Sequence, residues 1–204
     1  MILNEEQQKE ISSAISDLEN ETDAELVTVL AKQADNYYYI PTLWAALIAL
    51  LIPIIIKFTP LWLSGNDLLL LQWLAFILLV LVFRIQSLMM MLVPKSVKYW
   101  RASNLACRQF LENNLQHTKN EMGVLIFVSE AEHYVEIIAD KGISQYVSNE
   151  QWQEIINEFI KQVKAGKTKE GFINCIQASG ELLKKYAPAT EQKNELANHL
   201  IILK

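Results

Sequence analysis

Residues 37–56, YYYIPTLWAALIALLIPIII, carry no charged side chain, and this stretch decides how the rest of the chain is read. About 20 helical residues cover the roughly 30 Å hydrocarbon core of a bilayer. A second apolar run, LLLLQWLAFILLVLVF at 68–83, follows a polar break containing Lys57, Ser64, Gly65, Asn66 and Asp67. It continues past Arg84 into residues 85–93. Two such runs in tandem predict a transmembrane hairpin over 37–93. A helix buried on all sides in a soluble core rarely exceeds about 14 uncharged residues. An acidic helical segment of about 35 residues precedes the first run, which argues against a signal peptide. Tyr37, Tyr38 and Tyr39 fit an aromatic belt at one interface and Trp62 at the other, and Pro53 predicts a kink.

Basic residues orient the hairpin. Arg84, Lys95, Lys98, Arg101 and Arg108 follow the second run with no acid before Glu112, while the loop between the runs has Lys57 offset by Asp67. The positive-inside rule then places the part after the hairpin in the cytoplasm and the short loop outside. Two spans return the chain to the same side, so the N-terminal part is also cytoplasmic. The expected location is the cell inner membrane.

The chain has 204 residues and a net charge of −5. This leaves one ordinary soluble domain outside the bilayer. The charge argues against nucleic acid as a partner, and the five bases after the second run suit topology and anionic headgroups better. Cys107 and Cys175 lack a CxxC spacing and read as two buried, reduced thiols.

The soluble part has its own periodicities. Asn4 caps a helix whose inward face is Ile11, Ala14, Ile15 and Leu18, and residues 26–31 form a buried strand. After the hairpin, residues 95–117 predict one long helix with Ala102, Leu105, Ala106 and Phe110 inward. GVLIFVS at 123–129 reads as a central strand, and 134–139 as its antiparallel neighbour across a short turn. Ser148 and Gln151 form a capping box for a helix with Trp152, Ile155, Ile156, Phe159, Ile160 and Val163 on one face. Gly166 stops it, and a last helix ends before Pro188. The expected domains are therefore 1–36 and 94–190, two parts of one α/β domain, with 37–93 as the hairpin between them. Residues 191–204 form a tail in which Leu200, Ile201, Ile202 and Leu203 add an edge strand. The hairpin lies in the crossover between two parallel strands, so both parts of the sheet need one compartment.

Several blocks carry a family resemblance: ETDAELVTV before the hairpin, GVLIFVSEAEHYVEIIADKGI after it, the Trp152 helix, KAGKTKEGF, ASGELL and YAP. Together these resemble the TPM-domain family, in its bacterial branch with an inserted transmembrane hairpin. The resemblance implies a three-layer α/β/α sandwich around a small mixed sheet. It also implies the properties of relatives, among them acid phosphatase activity, a role in photosystem repair, and calcium binding. Relatives often carry Gly-x-Gly after the third strand and an Asp before the next helix. This chain has Asp140, Lys141 and Gly142, then Ser148 and Asn149, which departs from that pattern.

Candidate sites follow from the acids. Glu25 and Asp140 fall at one end of the predicted sheet, the end where the family motif also lies, and oxygen ligands suit Ca²⁺ or Mg²⁺. Glu130, Glu132, His133 and Asp35 fall at the other end, where ligand crevices of open α/β sheets usually lie. Acids in turns are more often simply solvated. Glu132 and His133 are adjacent along the chain and point apart, so they make no acid–base pair. His117 and His199 have no partner at zinc-ligand spacing, and Ser129 lacks a nucleophile-elbow context. Gly166, Lys167 and Thr168 imitate the end of a phosphate loop, but Lys161 stands where its first glycine belongs. Arg84 reads as a snorkelling anchor rather than a functional intramembrane charge.

The sequence thus predicts a membrane-anchored cytoplasmic binding or assembly module with a lipid bilayer and a protein as partners, able to form oligomers. The alternative is a divalent-metal-dependent phosphatase with Glu25 and Asp140 at its metal.

Overall fold

The structure is a computed structural model that describes residues 3–190 and 200–203. Two compact units emerge. One takes the chain up to Ala34 and again from Trp100; the other is Asp35–Tyr99.

The first unit is a four-stranded mixed sheet with helices on both faces. Helix α1 (Glu5–Glu19) starts from a capping box in which Asn4 Oδ1 accepts from the Gln7 N–H at 2.8 Å. In return, the Asn4 N–H donates to Gln7 Oε1 at 3.0 Å. Strand β1 (Glu25–Ala31) and strand β2 (Gly123–Ser129) pair in parallel from Glu25↔Gly123 to Ala31↔Ser129. Strand β3 (Tyr134–Ala139) runs antiparallel to β2, because only a short turn separates them. Strand β4 (Leu200–Leu203) adds to the free side of β1, in parallel from Thr28↔Leu200. The sheet order is β3-β2-β1-β4.

Side-chain alternation along the two central strands builds two cores. Leu26 and Leu30 with Val124, Ile126 and Val128 join Ile11, Ile15 and Leu18 of α1. The same core takes Trp152 and Phe159 of α7 (Asn149–Lys164) and Phe172, Ile176 and Leu183 of α8 (Thr168–Tyr186). The other parity, Val27, Val29, Ala31, Leu125 and Phe127, packs on Ala102, Leu105, Ala106 and Phe110. These four lie in the helix Lys95–Glu112, numbered α5 below. The α/β/α layering expected from the resemblance is therefore present.

Gly180 lets α8 lie close to α1: a Cβ there would stand 2.3 Å from Leu18 Cδ1. Lys169 Nζ bridges the same helices to Glu10 at 2.9 Å. Helix α7 begins at Ser148, whose N–H donates to Gln151 Oε1 at 3.0 Å, and ends before Gly166 at φ +77°. Glycine takes that left-handed conformation without strain.

Residues 95–117 do not make one long helix. It stops at Glu112, and Asn114 turns left-handed at φ +58°. Short 3-10 turns follow at Leu115–His117 and Lys119–Glu121. Asparagine tolerates this region better than most residues, so the Asn113–Asn114 pair is a natural stop.

The second unit contains α2 (Tyr39–Lys57), α3 (Gly65–Val82) and α4 (Gln86–Leu92). Helices α2 and α3 are long and apolar enough to cross a membrane. Helix α2 buries Ile40, Pro41, Ala45 and Ala49, and α3 buries none of its residues. Small residues one turn apart, Ala45 and Ala49, suit close approach between helices. Trp44, Leu50, Trp73, Leu74 and Leu78 stand outward, an apolar surface far beyond what soluble proteins expose. The second apolar run does not continue through residue 93 as one span. Ile85 leaves the helical region (φ −62°, ψ 120°), and α4 is a separate piece.

Candidate functional site

The β1–β2–β3 ladder places Glu25 and Asp140 at one edge of the sheet. The Glu25 N–H donates to the Met122 carbonyl at 3.2 Å, and the Asp140 N–H donates to the Gly123 carbonyl at 2.8 Å. Glu25 pairs with Gly123 in the ladder, so two interstrand spacings, about 10 Å of backbone, separate the two acids. Asp140 also caps α6 (Lys141–Ser144), accepting from the Lys141 N–H at 2.8 Å.

The gap between the acids is filled by main chain. A Cβ on Gly123 would lie 2.3 Å from the Leu115 carbonyl oxygen, and one on Gly142 would lie 2.2 Å from that of Asn120. The two glycines therefore admit the 3-10 segment against the sheet end. Its carbonyls and the two carboxylates make an oxygen-rich edge, the chemistry that hard cations prefer. Yet among the described residues no three His, Cys, Asp or Glu side chains converge on a common point.

A third acid joins this edge that sequence reasoning missed. Glu19, the last residue of α1, accepts from the Leu26 N–H at 3.2 Å through Oε1. Burial is the main cause that pushes its carboxyl from 4.5 up to about 8, with the nearby Glu25 charge adding to it and the Leu26 hydrogen bond opposing. Nothing in the local pattern marks Glu19, because a Glu ending an acidic helix looks like any solvated residue.

The opposite edge is closed rather than open. Glu132 is 3% exposed, so it is not a solvated turn acid. Its Oε1 accepts from the Ala34 N–H at 3.0 Å, and Oε2 accepts from the Ser129 hydroxyl. That carboxylate ties the exit of β1 to the β2–β3 turn, where the Glu130 N–H also donates to Ala31 at 2.9 Å. Ser129 is held by this bond and is 1% exposed, which removes it as a nucleophile. His133 is exposed, in a left-handed turn at φ +51°. His117 is exposed too, and His199 lies outside the described residues.

A polar cluster lies between α5 and β3. The Ser103 hydroxyl donates to Glu136 Oε1 at 3.4 Å, and burial raises the carboxyl of Glu136. Burial pushes the neighbouring Tyr134 phenol up to about 12. Cys107, expected to be buried, is exposed beside this cluster, whereas Cys175 is buried; both are free thiols. Cys107 faces outward because it lies one residue past Ala106, off the stripe that packs on the sheet. The Gly166–Lys167–Thr168 trio joins two helices, without the strand that a phosphate loop requires.

A family model for the TPM domain matches residues 86–182, the stretch that holds β2, β3 and the helices around them. Residues 86–182 are similar to the TPM domain. A solved structure, the NMR structure of BA42 protein from the psychrophilic bacterium Bizionia argentinensis, has the same fold at a TM-score of 0.61. It is 22% identical, and the match covers 99% of this chain and 96% of that one. No curated protein matches the chain. The α/β unit is assembled from both sides of an inserted apolar unit, since β1 precedes Asp35–Tyr99 and β2 follows it.

Proposed function

We propose that this chain is a membrane-anchored TPM domain that serves as a binding or assembly module on the cytoplasmic face of the inner membrane. The observation that carries the reading is the position of α2 and α3 between the paired strands β1 and β2. A sheet built from both sides of an insertion needs both sides in one compartment, which an even number of spans provides. The five bases after α3 choose the cytoplasm as that compartment. Closed packing around Ser129 and Glu132, which shuts the Ser129 hydroxyl away from solvent, favours binding over catalysis.

Thiol labelling tests the topology. In a Cys107→Ser background, which removes the exposed native thiol, Ser64→Cys is expected to react with an impermeant reagent in intact cells. Ser148→Cys should react only after lysis. The reverse pattern would sink the proposal.

The second reading, a divalent-metal-dependent phosphatase, rests on the family resemblance and on the oxygen-rich edge at Glu25 and Asp140. It requires metal-dependent hydrolysis of a generic phosphate ester by the purified full chain, abolished by Asp140→Asn. Equal turnover by the substituted protein would remove it.

A further inference from the structure

Helix α4 and its flanks form a distinct surface within the Asp35–Tyr99 unit. Antiparallel α2 and α3 bring the start of one beside the end of the other, and the Arg84 guanidinium lies 4.9 Å from the Tyr38 ring centroid there. From this end α4 folds back: Met89 and Val93 pack with Tyr37 and Ile40. A helix of 7 residues is about 10 Å long, far too short to span. Its outer side is nevertheless apolar, with Leu88 37% and Met91 83% exposed.

Three cations flank α4 along the chain, Arg84 before it and Lys95 and Lys98 after it. Beyond Arg84, the Lys95 ammonium lies 5.0 Å from the Tyr99 ring centroid, and Lys98 Nζ donates to the Met90 carbonyl at 3.0 Å. Among the described residues none of the three pairs with a carboxylate, and no Asp or Glu occurs from residue 68 to residue 111. Aromatic rings and a main-chain carbonyl orient these charges without neutralising them. A short helix with apolar side chains outward and uncompensated cations at its ends matches a bilayer interface, where acyl chains meet phosphate.

We infer that α4 with Arg84, Lys95 and Lys98 is a collar for acidic phospholipid: the cations hold the headgroup phosphate, and Leu88 and Met91 lie among the first acyl carbons. This deepens the membrane reading and rests on it. A planar guanidinium suits bidentate phosphate contact, and two nearby ammonium groups favour a lipid with net negative charge over a zwitterionic one.

The test uses the full chain in neutral detergent, with thermal unfolding followed as lipid is added. Phosphatidylglycerol is expected to raise Tm saturably, whereas phosphatidylcholine and inorganic phosphate are not. The Arg84→Gln/Lys95→Gln/Lys98→Gln variant should need about tenfold or more phosphatidylglycerol for the same shift. Equal shifts from both lipids, an equal shift from inorganic phosphate, or a wild-type response from the variant would overturn the collar. Should the triple variant lose its cooperative melt, Lys95→Gln and Lys98→Gln alone are measured, each expected to need several-fold more lipid. Alkaline carbonate separates the two ideas. Protein washed from membranes refutes the anchor itself, whereas wash-resistant protein blind to lipid charge refutes only the collar.

Discussion

Glu19 shows how one side chain carries information that its neighbours in sequence do not. Its carboxyl meets the first strand's backbone in a place where water is largely excluded, so its proton is held up to about pH 8. The unfolded chain releases that proton near the ordinary value of 4.5. Between these limits the folded state binds more protons than the unfolded one, so stability falls as pH rises through the window. Burial raises the Glu136 carboxyl as well and contributes with the same sign. Glu19→Gln keeps an oxygen for the Leu26 N–H and removes the charge. It is expected to raise stability at pH 8 by about 1–2 kcal/mol, allowing for solvent screening of a half-buried group. Thermal melts in detergent at pH 5.5 and 8 check this. A variant with the wild type's pH slope would show that Glu19 does not titrate there.

At the scale of elements, two helix starts in the α/β unit are local chemistry. Asn4 with Gln7 and Ser148 with Gln151 form reciprocal caps, so two exposed N–H groups per helix are satisfied before any tertiary contact exists. Ser148→Ala is expected to cost about 1 kcal/mol. The measurement is the unfolding free energy of the full chain in denaturant, and no loss would mean that packing of Trp152 alone holds the helix start. Helix stops are also local where Gly166 or Asn114 turns the chain left-handed. The break at Ile85 differs: no glycine or proline marks it, and residues 85–93 are apolar like the span before them. Composition alone cannot separate a helix that continues from one that folds back, because both bury or expose the same residue types.

For the whole molecule, the question is whether the α/β domain needs its insertion. The exits of β1 and β2 are held within the domain: Lys32 N–H donates to Leu203 at 3.0 Å, and Ala131 N–H donates to Lys32 at 3.1 Å. Glu132 adds its bond to Ala34. Both cores are complete without a residue from Asp35–Tyr99. Replacing residues 37–93 with about eight Gly and Ser residues closes a loop at small entropic cost. The expected product is a soluble α/β domain that melts cooperatively by circular dichroism. A broad, non-cooperative melt would mean that the inserted unit is part of the fold.

Apolar runs, period-2 and period-3.6 patterns and capping pairs by themselves determined the two long apolar helices and the central strands, while the α/β/α layering was implied by the family resemblance. Each of these helices and strands is a property of neighbouring residues, so it survives in a one-dimensional reading. The parallel seating of β4 beside β1, the return of α4, the burial of Glu132 and the meeting of Glu19 with Glu25 depended on tertiary structure. These join residues far apart along the chain or depend on which groups lose water, and no local pattern encodes either. The candidate cation edge divides the same way. Strand ends placed Glu25 and Asp140 at one edge, but only packing put the Leu115 carbonyl over Gly123 between them.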